Sequence, residues 1–187
     1  MGGVRLWDPG SSHQLANFIG HIGGVSAVAW SPDGTRLATA GDEGEVRLFR
    51  SSRFLWWRWR RSRTLTSHTR GVSAVTWSPD GTRLATASHD QEVRLWDAAT
   101  GHHLTTLTGH TDWVSAVAWS PDGTRLATAG KGGDIRLWDL SRADHLAYLQ
   151  ADALACLQWA GFGIAVGGAN GVIVLDLASL GRMARVR

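Results

Sequence analysis

The length, composition and charge of the chain exclude several classes of protein. With 187 residues, of which 43% are hydrophobic, the chain is long and apolar enough for one globular domain and differs from a disordered protein. A single cysteine excludes an internal disulfide, and a net charge of +3 with a pI near 10.0 only weakly favours anionic partners. The first residues lack the basic and apolar regions of a signal peptide, so we expect a cytoplasmic protein.

The sequence repeats itself at intervals of about 42 residues, a period typical of four-stranded propeller blades. The motifs SAV-x-W, SPDG and LATA occur at Ser26–Gly41, at Ser73–Ser88 and again within Gly109–Asp139. A histidine precedes each copy, and a Trp-Asp pair or its substitute follows it. The histidine positions are Gly20-His21, Ser67-His68 and Gly109-His110, and the Trp-Asp positions are Trp7-Asp8, Phe49-Arg50, Trp96-Asp97, Trp138-Asp139 and Leu175-Asp176.

Each repeat carries the signals of short strands joined by tight turns. In the best-preserved copy, Val114–Trp119 is apolar on both faces and is followed by the turn Ser120–Gly123, in which proline and glycine favour a reversal of the chain. Two further strands are predicted over Arg125–Gly130 and Ile135–Asp139, and a weaker fourth over His145–Leu149. No stretch has sustained helical periodicity, so the sequence predicts an all-β protein.

We divide the chain into five repeats within a single domain covering residues 1–187. Their approximate bounds are 1–19, 20–66, 67–108, 109–148 and 149–180. The first repeat is partial, because Val4–Asp8 already has the character of a third strand. The last is degenerate, because it has lost the SPDG turn. Unclosed ends of such an array predict strand edges that can pair with other strands.

These motifs, in three consecutive copies at matching spacing, resemble those of the WD-repeat β-propeller family over almost the whole chain. The resemblance implies blades of four antiparallel strands arranged radially, and thus a partial WD-repeat β-propeller of about four blades. Closed rings of the family commonly have more blades. We therefore expect a fragment, or a partial ring that self-associates through its open edges or is completed by another chain.

The resemblance also implies a buried hydrogen-bonded tetrad in each blade. Its members are a histidine before the first strand, a serine or threonine on the second, an aspartate in the next turn and a tryptophan on the third. Repeat two has the complete set: His68, Asp90, Trp96, and either Thr86 or Ser88. Repeat three has His110, Thr128 and Trp138, with Gly132 at the aspartate position. Repeat one has His21 and Thr39, with Glu43 and Phe49 at the other two positions.

The same residue types would suit a hydrolase, in which a histidine and an aspartate activate a hydroxyl nucleophile. We favour a buried network that satisfies its own polar groups, because a nucleophile would also need an oxyanion site and an open cleft. The prediction is therefore a protein that is not an enzyme, with no catalytic residue, no metal site and no cofactor.

A basic and aromatic segment, Arg53–Arg63, lies between the third and fourth strands of repeat one. Interleaved tryptophans and arginines can form a protein-binding hot spot, stack on single-stranded nucleic acid, or anchor at an anionic membrane. They can equally form a bulged outer strand whose tryptophans cover the blade while its arginines face solvent. The candidate contact residues are Trp56, Trp57, Arg58, Trp59, Arg60 and Arg61. A protein contact is favoured over nucleic acid or a membrane, because the segment is short and the net charge is low.

A second candidate surface surrounds Trp113, whose counterparts in the other repeats are glycine or alanine. Blade packing therefore does not require an aromatic residue here, although packing on a neighbouring blade is an alternative. The family usually binds peptides at this rim, which also includes Thr69, Thr111 and Asp112. We predict a non-catalytic protein–protein interaction scaffold with an unidentified protein partner. The alternatives are a regulatory or sensing segment of a larger signalling protein, such as a kinase or an ATPase, and a nucleic-acid or anionic-lipid binder acting through residues 53–63.

Overall fold

The computed structural model describes residues 2–51, 59–66, 68–141, 144–150, 154–160, 163–168 and 171–176. These residues form antiparallel strands and no helix, so the all-β prediction is confirmed. Within each sheet the strands follow chain order, and each strand pairs with the next. The first strands of successive sheets lie side by side, as in the blades of a propeller.

A two-stranded partial blade is followed by three four-stranded blades and a fourth with three described strands. The partial blade has β1 (Gly2–Trp7) and β2 (Gln14–His21). Blade one has β3 (Val25–Trp30), β4 (Arg36–Gly41), β5 (Glu45–Ser51) and β6 (Trp59–Thr66). Blade two has β7 (Val72–Trp77), β8 (Arg83–Ser88), β9 (Val93–Asp97) and β10 (His103–Leu107). Blade three has β11 (Val114–Trp119), β12 (Arg125–Gly130), β13 (Asp134–Asp139) and β14 (Asp144–Gln150). Blade four has β15 (Leu154–Ala160), β16 (Gly163–Gly168) and β17 (Gly171–Asp176). A partial β-propeller of about four blades is therefore confirmed.

The SPDG motif closes the turn between the first two strands of blades one, two and three. In blade one, the amide of Gly34 donates to the carbonyl of Ser31 at 2.9 Å, and Gly34 has a φ of 67°, which favours glycine. Asp33 accepts hydrogen bonds from the Ser31 hydroxyl at 2.5 Å and the Thr35 amide at 3.0 Å. These two bonds, that of Ser31 foremost, lower the pKa of Asp33 to about 2. The corresponding aspartates of blades two and three make the same contacts, so the three turns are alike.

Three side chains connect blade one to blade two. The hydroxyl of Ser26 donates to a backbone carbonyl of β7, and Arg36 Nη2 donates to the carbonyl of Gly81 at 2.7 Å. The Arg36 guanidinium also lies 4.5 Å from the ring centroid of Trp77. In return, the indole N–H of Trp77 donates to the carbonyl of Ala29 at 3.0 Å. Hydrogen bonds and a cation–π contact therefore supplement the apolar packing between the two sheets.

The interface between blades two and three repeats this pattern. The Ser73 hydroxyl donates to a backbone carbonyl of β11. Arg83 donates to the carbonyl of Gly123 at 2.8 Å and lies 4.8 Å from the ring centroid of Trp119. At the next interface the aligned residue, Arg125, is exposed, because blade four has no SPDG turn to receive it.

Small and branched apolar residues fill the space between the blades. Ala38, Ala40, Ala85 and Ala87, on the second strands of blades one and two, are fully buried because both faces of these strands are covered. The core therefore lies between sheets and does not form a separate layer. In the described part of the chain no helix is long and apolar enough to cross a membrane.

Candidate functional site

Blade two brings four predicted residues together in a buried tetrad. The ring of His68 lies between two partners: Nδ1 is 2.8 Å from Asp90 Oδ2, and Nε2 is 2.7 Å from Thr86 Oγ1. The indole N–H of Trp96 donates to the same threonine oxygen at 3.0 Å. These bonds connect the segment before β7 with β8, β9 and the turn between them, so the tetrad holds the strands of one blade in register.

Ser88, the alternative hydroxyl member, has a different role. Its Oγ donates to the carbonyl of Gly71 at 2.9 Å and accepts the amide of Asp90 at 3.1 Å. Thr86 is therefore the hydroxyl that contacts the histidine, and Ser88 fixes the turn that carries Asp90.

Burial and hydrogen bonding act in opposite directions on the Asp90 carboxylate. Burial raises the pKa of Asp90, whereas the hydrogen bond and charge of His68, followed by the amide of Thr69, lower it. The net result is a pKa of about 2, so Asp90 is ionised at neutral pH. An ionised carboxylate can only accept, so the hydrogen bond between His68 Nδ1 and Asp90 runs from the ring nitrogen to the carboxylate.

The tetrad has the residue types of a hydrolase triad, but a substrate cannot reach its hydroxyl group. Thr86 is fully buried, and its oxygen contacts His68 and Trp96, so a substrate carbonyl cannot approach it. A reactive hydroxyl would need an open cleft with oxyanion donors. Among the described residues, no group of three His, Cys, Asp or Glu side chains could hold a metal ion. The arrangement stabilises strands but exposes no nucleophile.

Blade three has a tetrad acid that the alignment of the repeats does not identify. Gly132 occupies the aligned position, but Asp134 Oδ2 lies 2.5 Å from His110 Nδ1. The other contacts match those of blade two: His110 Nε2 is 2.7 Å from Thr128 Oγ1, and the indole N–H of Trp138 donates to that oxygen at 2.9 Å. Asp134 therefore takes the place that sequence comparison leaves empty.

Space for Asp134 comes from Gly130, which stands where blade two has Ser88. A Cβ atom at residue 130 would lie 1.9 Å from Asp134 Oδ1 and 2.9 Å from His110 Nδ1, so no side chain fits there. Asp134 also accepts a hydrogen bond from Arg136 Nε at 3.2 Å. The glycine and the displaced aspartate thus act together and replace the serine and aspartate of blade two.

Blade one has a variant of the tetrad with a glutamate and no tryptophan. Glu43 Oε1 is 2.5 Å from His21 Nδ1, and His21 Nε2 is 2.7 Å from Thr39 Oγ1. Burial raises the pKa of Glu43, but its own backbone amide and His21 lower it overall. A Cβ atom on Gly41 would lie 2.5 Å from Glu43 Oε2, so a glycine again makes room for the acid. Phe49, at the tryptophan position, supplies no indole donor.

The starts of the first strands and the turns after the second strands lie along one edge of the blades, which we call the rim. Backbone hydrogen bonds fix this arrangement. The amide of His89 donates to the carbonyl of Gly71 at 2.9 Å, and the amide of Lys131 donates to the carbonyl of Trp113 at 2.7 Å. Residues far apart in sequence therefore face one another along the rim.

Trp113 lies on the rim where blades two and three meet. Its ring stacks on His89 of blade two, with centroids 4.2 Å apart and an interplanar angle of 16°. Lys131 contacts the same ring, with Nζ 4.7 Å from the centroid. Trp113 is nevertheless 36% exposed, so it is both held in place and accessible. The sequence analysis missed both neighbours of this ring. The packing of blade two against blade three brings His89 to Trp113, and the pairing of β11 with β12 places Lys131 beside it.

The other predicted rim residues lie beside Trp113 or at the equivalent place in blade two. Thr111 is exposed and Asp112 is partly exposed, and Asp112 Oδ1 accepts the amide of Trp113 at 2.7 Å. Thr69 is exposed, but its amide donates to the tetrad carboxylate of Asp90 at 3.0 Å. Thr69 therefore supports the tetrad as well as the rim.

Of the predicted residues in the basic segment, Trp59 is partly buried and packs against other aromatic rings. Its ring centroid lies 5.5 Å from that of Phe18 and 5.3 Å from that of Trp30, in edge-to-face arrangements. Trp59 thus covers an aromatic cluster, as in the interpretation of this segment as an outer strand. Three further predicted contact residues lie outside the described residues: Trp56, Trp57 and Arg58.

Arg60 and Arg61 are exposed on β6, the outer strand of blade one. Arg60 lies opposite Arg50 of β5, and the structure records no ion pair for any of the three within the described ranges. Like charges that face each other across a strand pair are unfavourable. An anion beside this edge would therefore be favoured.

Comparison with known proteins identifies the repeats and several relatives. The family model for the WD domain, G-beta repeat, matches residues 12–50, 59–97 and 101–139. Coronin-7 of Homo sapiens is 40% identical over 47 residues, which are 25% of this chain and 5% of coronin-7. Pre-mRNA-processing factor 19 homolog 2 of Arabidopsis thaliana is 46% identical over 46 residues, which are 25% of this chain and 9% of that protein. Guanine nucleotide-binding protein subunit beta of Oryza sativa subsp. indica is 43% identical over 47 residues, 25% of this chain and 12% of the relative.

These similarities differ in what they establish. The segment shared with the three relatives spans between 5% and 12% of their lengths, which is too little to transfer what they do as whole proteins. The family matches cover more than half of this chain, and each runs from the last strand of one sheet to the third strand of the next. The chain therefore belongs to the WD domain, G-beta repeat family.

Proposed function

We propose that the protein is an interaction scaffold that binds a protein or peptide at the rim around Trp113. Family membership supports the assignment as an interaction scaffold, since WD repeats generally mediate protein–protein interactions and are generally non-catalytic. One observation supports the particular site. A tryptophan that blade packing does not require is held against His89 and Lys131 while remaining partly exposed.

An exposed aromatic side chain that is already oriented lowers the cost of binding. The contacts with His89 and Lys131 restrict Trp113 before a partner arrives, so less side-chain freedom is lost on association. Tryptophan is also enriched among the residues that supply most of the binding energy in protein interfaces. The rigid blades thus present an anchor residue on a fixed support.

Peptide selection tests this proposal directly. The purified chain is screened against a phage-displayed peptide library, and selected peptides are synthesised for affinity measurement. Trp113→Ala should weaken their binding by about 30-fold or more, as expected for an anchor residue worth about 2 kcal/mol. Trp7→Ala removes an exposed tryptophan on β1 and is the matched control, which should leave affinity unchanged. Peptides that bind Trp113→Ala as tightly as the unmodified chain would refute the rim site.

A second candidate function is binding of an anionic partner along β6. The facing pair Arg50 and Arg60, with Arg61 beside it, favours this candidate. Fluorescence anisotropy with a single-stranded oligonucleotide should detect binding that weakens steeply between about 50 and 200 mM salt. The double variant Arg60→Glu, Arg61→Glu should abolish it. Binding that ignores both salt and these substitutions would count against the candidate.

A further inference from the structure

The rim residue that follows the second strand differs in charge among the three blades. Blade one has Asp42 there and blade two has His89, whereas blade three has Lys131, the only lysine of the chain. Asp42 Oδ2 accepts the amide of Gly24 at 3.0 Å, so the acid of blade one is bonded to its own rim. In blade three the opposite charge lies beside Trp113, which stands in place of that glycine. The two exchanges therefore occur together, at the place of the proposed function.

The Lys131 ammonium is held against an aromatic ring. Its Nζ lies 4.7 Å from the centroid of Trp113, and the side chain is exposed. The ion pairs found in the described parts of the chain involve arginine or histidine, and none includes Lys131. A carboxylate from outside the chain can therefore approach this cation.

Asp112 lies on the same part of the rim and limits which anions fit. Its Oδ1 accepts the amide of Trp113 at 2.7 Å, and a Cβ atom on Gly132 would lie 3.5 Å from the Asp112 Cβ. The aspartate thus faces the glycine that follows Lys131 and is held there by a backbone donor. Its charge would repel a phosphate group, which carries about two negative charges, more strongly than a carboxylate, which carries one. The site therefore favours a carboxylate.

Lys131 can exchange the ring for a carboxylate at little cost. Lysine places a compact charge at the end of a flexible stem. A cation–π contact at an exposed site is comparable in strength to an exposed ion pair, so one can replace the other. The part of the ring that Nζ leaves is an apolar surface, and Trp113 stays oriented by its stacking on His89, with centroids 4.2 Å apart. One partner can therefore pair the charge and cover the ring.

We infer that the partner of the rim carries an aspartate or glutamate beside an apolar side chain. The carboxylate binds Lys131 Nζ and moves it off Trp113, and the apolar side chain packs on the part of the ring that becomes free. A basic segment is disfavoured, because its cation would meet Lys131 at the same ring. This inference rests on the proposed function and adds the chemistry that the site selects.

Selection from a random-peptide library tests this preference. The phage-displayed library is applied to the unmodified chain and, in parallel, to Lys131→Glu. Peptides selected on the unmodified chain should carry Asp or Glu beside an apolar residue, whereas those selected on Lys131→Glu should carry Lys or Arg in place of the acid. Peptides with the same charges from both selections would overturn the inference.

Affinity measurements on the selected peptides test the individual contact. Replacing the acid of the peptide by its amide should weaken binding to the unmodified chain by about fivefold and leave binding to Lys131→Gln unchanged. Asp112→Asn removes a like charge and should strengthen binding. Arg125→Gln removes an exposed cation at the other end of β12 and is the matched control, which should leave affinity unchanged.

These measurements separate the inference from the proposed function. Peptides that bind Trp113→Ala more weakly but lose nothing when their acid is replaced would overturn the inference and leave the rim site in place. Peptides that bind Trp113→Ala as tightly as the unmodified chain would overturn both.

Nuclear magnetic resonance follows the lysine directly, because the chain has only one. Reductive methylation with isotope-labelled formaldehyde marks Lys131 Nζ and preserves its positive charge, and Lys131→Arg identifies the signal of the amino terminus. The ring current of Trp113 should shift the Lys131 signal upfield of its position in Trp113→Ala. A saturating amount of a selected acidic peptide should return the signal to that position. A signal that stays upfield while the peptide is bound would overturn the inference.

Discussion

Replacing Asp134 tests whether this residue completes the tetrad of blade three. In Asp134→Ala, His110 loses the carboxylate that lies 2.5 Å from its Nδ1, and Arg136 loses the acceptor 3.2 Å from its Nε. The histidine ring stays buried and keeps its contacts with Thr128 and Trp138. We expect a variant that folds with the same strands but with lower stability.

The size of the effect follows from burial. Asp134 and His110 are both almost completely buried, so bulk water does not replace the lost contact. Leaving a buried hydrogen-bonding group without its partner costs about 1–3 kcal/mol, and a water molecule in the space beside Gly130 would recover part of this. We therefore expect the free energy of unfolding to fall by about 2 kcal/mol. With an m-value of about 2 kcal/mol/M, the urea midpoint would fall by about 1 M.

Urea unfolding followed by tryptophan fluorescence measures this change, and Gly132→Asp is the matched variant. It places a carboxylate at the position that alignment with blade two indicates. A Cβ atom there would lie 3.5 Å from the Cβ of Asp112, so the new carboxylate would face another acid and should add no stability. A gain of stability in Gly132→Asp, combined with no loss in Asp134→Ala, would refute the assignment of Asp134.

Three further predictions concern the contacts between blades, the approach to β11 and acid stability. Arg83→Ala removes a hydrogen bond and a ring contact, so it should lower the free energy of unfolding in urea by about 1–2 kcal/mol. Arg125 is exposed, so Arg125→Ala should change this free energy by less than about 0.5 kcal/mol. Residue 109 has a φ of 138°, and in Gly109→Ala the new Cβ atom would lie 2.6 Å from Arg136 Nη1. The free energy of unfolding, measured by thermal unfolding, should therefore fall by about 2 kcal/mol. An unchanged free energy would mean that the arginine moves aside. The pKa of Asp90 is about 2 in the folded chain against 3.8 for a free side chain, so its carboxylate contributes stability above about pH 4 that is lost as the pH falls toward 2. Asp90→Asn should therefore be less stable at pH 7 by about 2 kcal/mol and lose less stability on acidification, and parallel acid titrations of the two proteins would contradict this.

The architecture could be predicted from the sequence because local and global signals agree. The SPDG turn and the apolar first strand recur three times, and each predicted strand of Val114–Asp139 is found within a residue or so of its predicted bounds. The structure extends the partial first repeat to a hairpin, β1–β2, of which the sequence analysis predicted only the strand at Val4–Asp8. Strand β2 was missed, although Leu15 and Gly20-His21 match Leu104 and Gly109-His110 at the same spacing.

The tetrads could be predicted only in part, because alignment of the repeats compares only residues at equivalent positions. Asp134 lies two residues beyond the aligned position, and only the exchange of Ser88 for Gly130 would have indicated that the acid could move inward. The rim was harder to predict. His89 reaches Trp113 through the packing of blade two against blade three, and Lys131 reaches it through the pairing of β11 with β12. Neither contact follows from a local sequence pattern.

The contacts between blades have a consequence for how such a chain can grow. Each complete repeat carries both halves of its interface, the serine and arginine on one side and the tryptophan on the other. A duplicated repeat inserted in frame therefore meets compatible neighbours on both sides without any compensating substitution. Duplication lengthens the array by one unit at a time, and the near-identity of Ser26–Gly41 with Ser73–Ser88 is what such growth would leave in the sequence. Divergence can then proceed on the rim, where blade three has Trp113 at a position that is glycine in blades one and two.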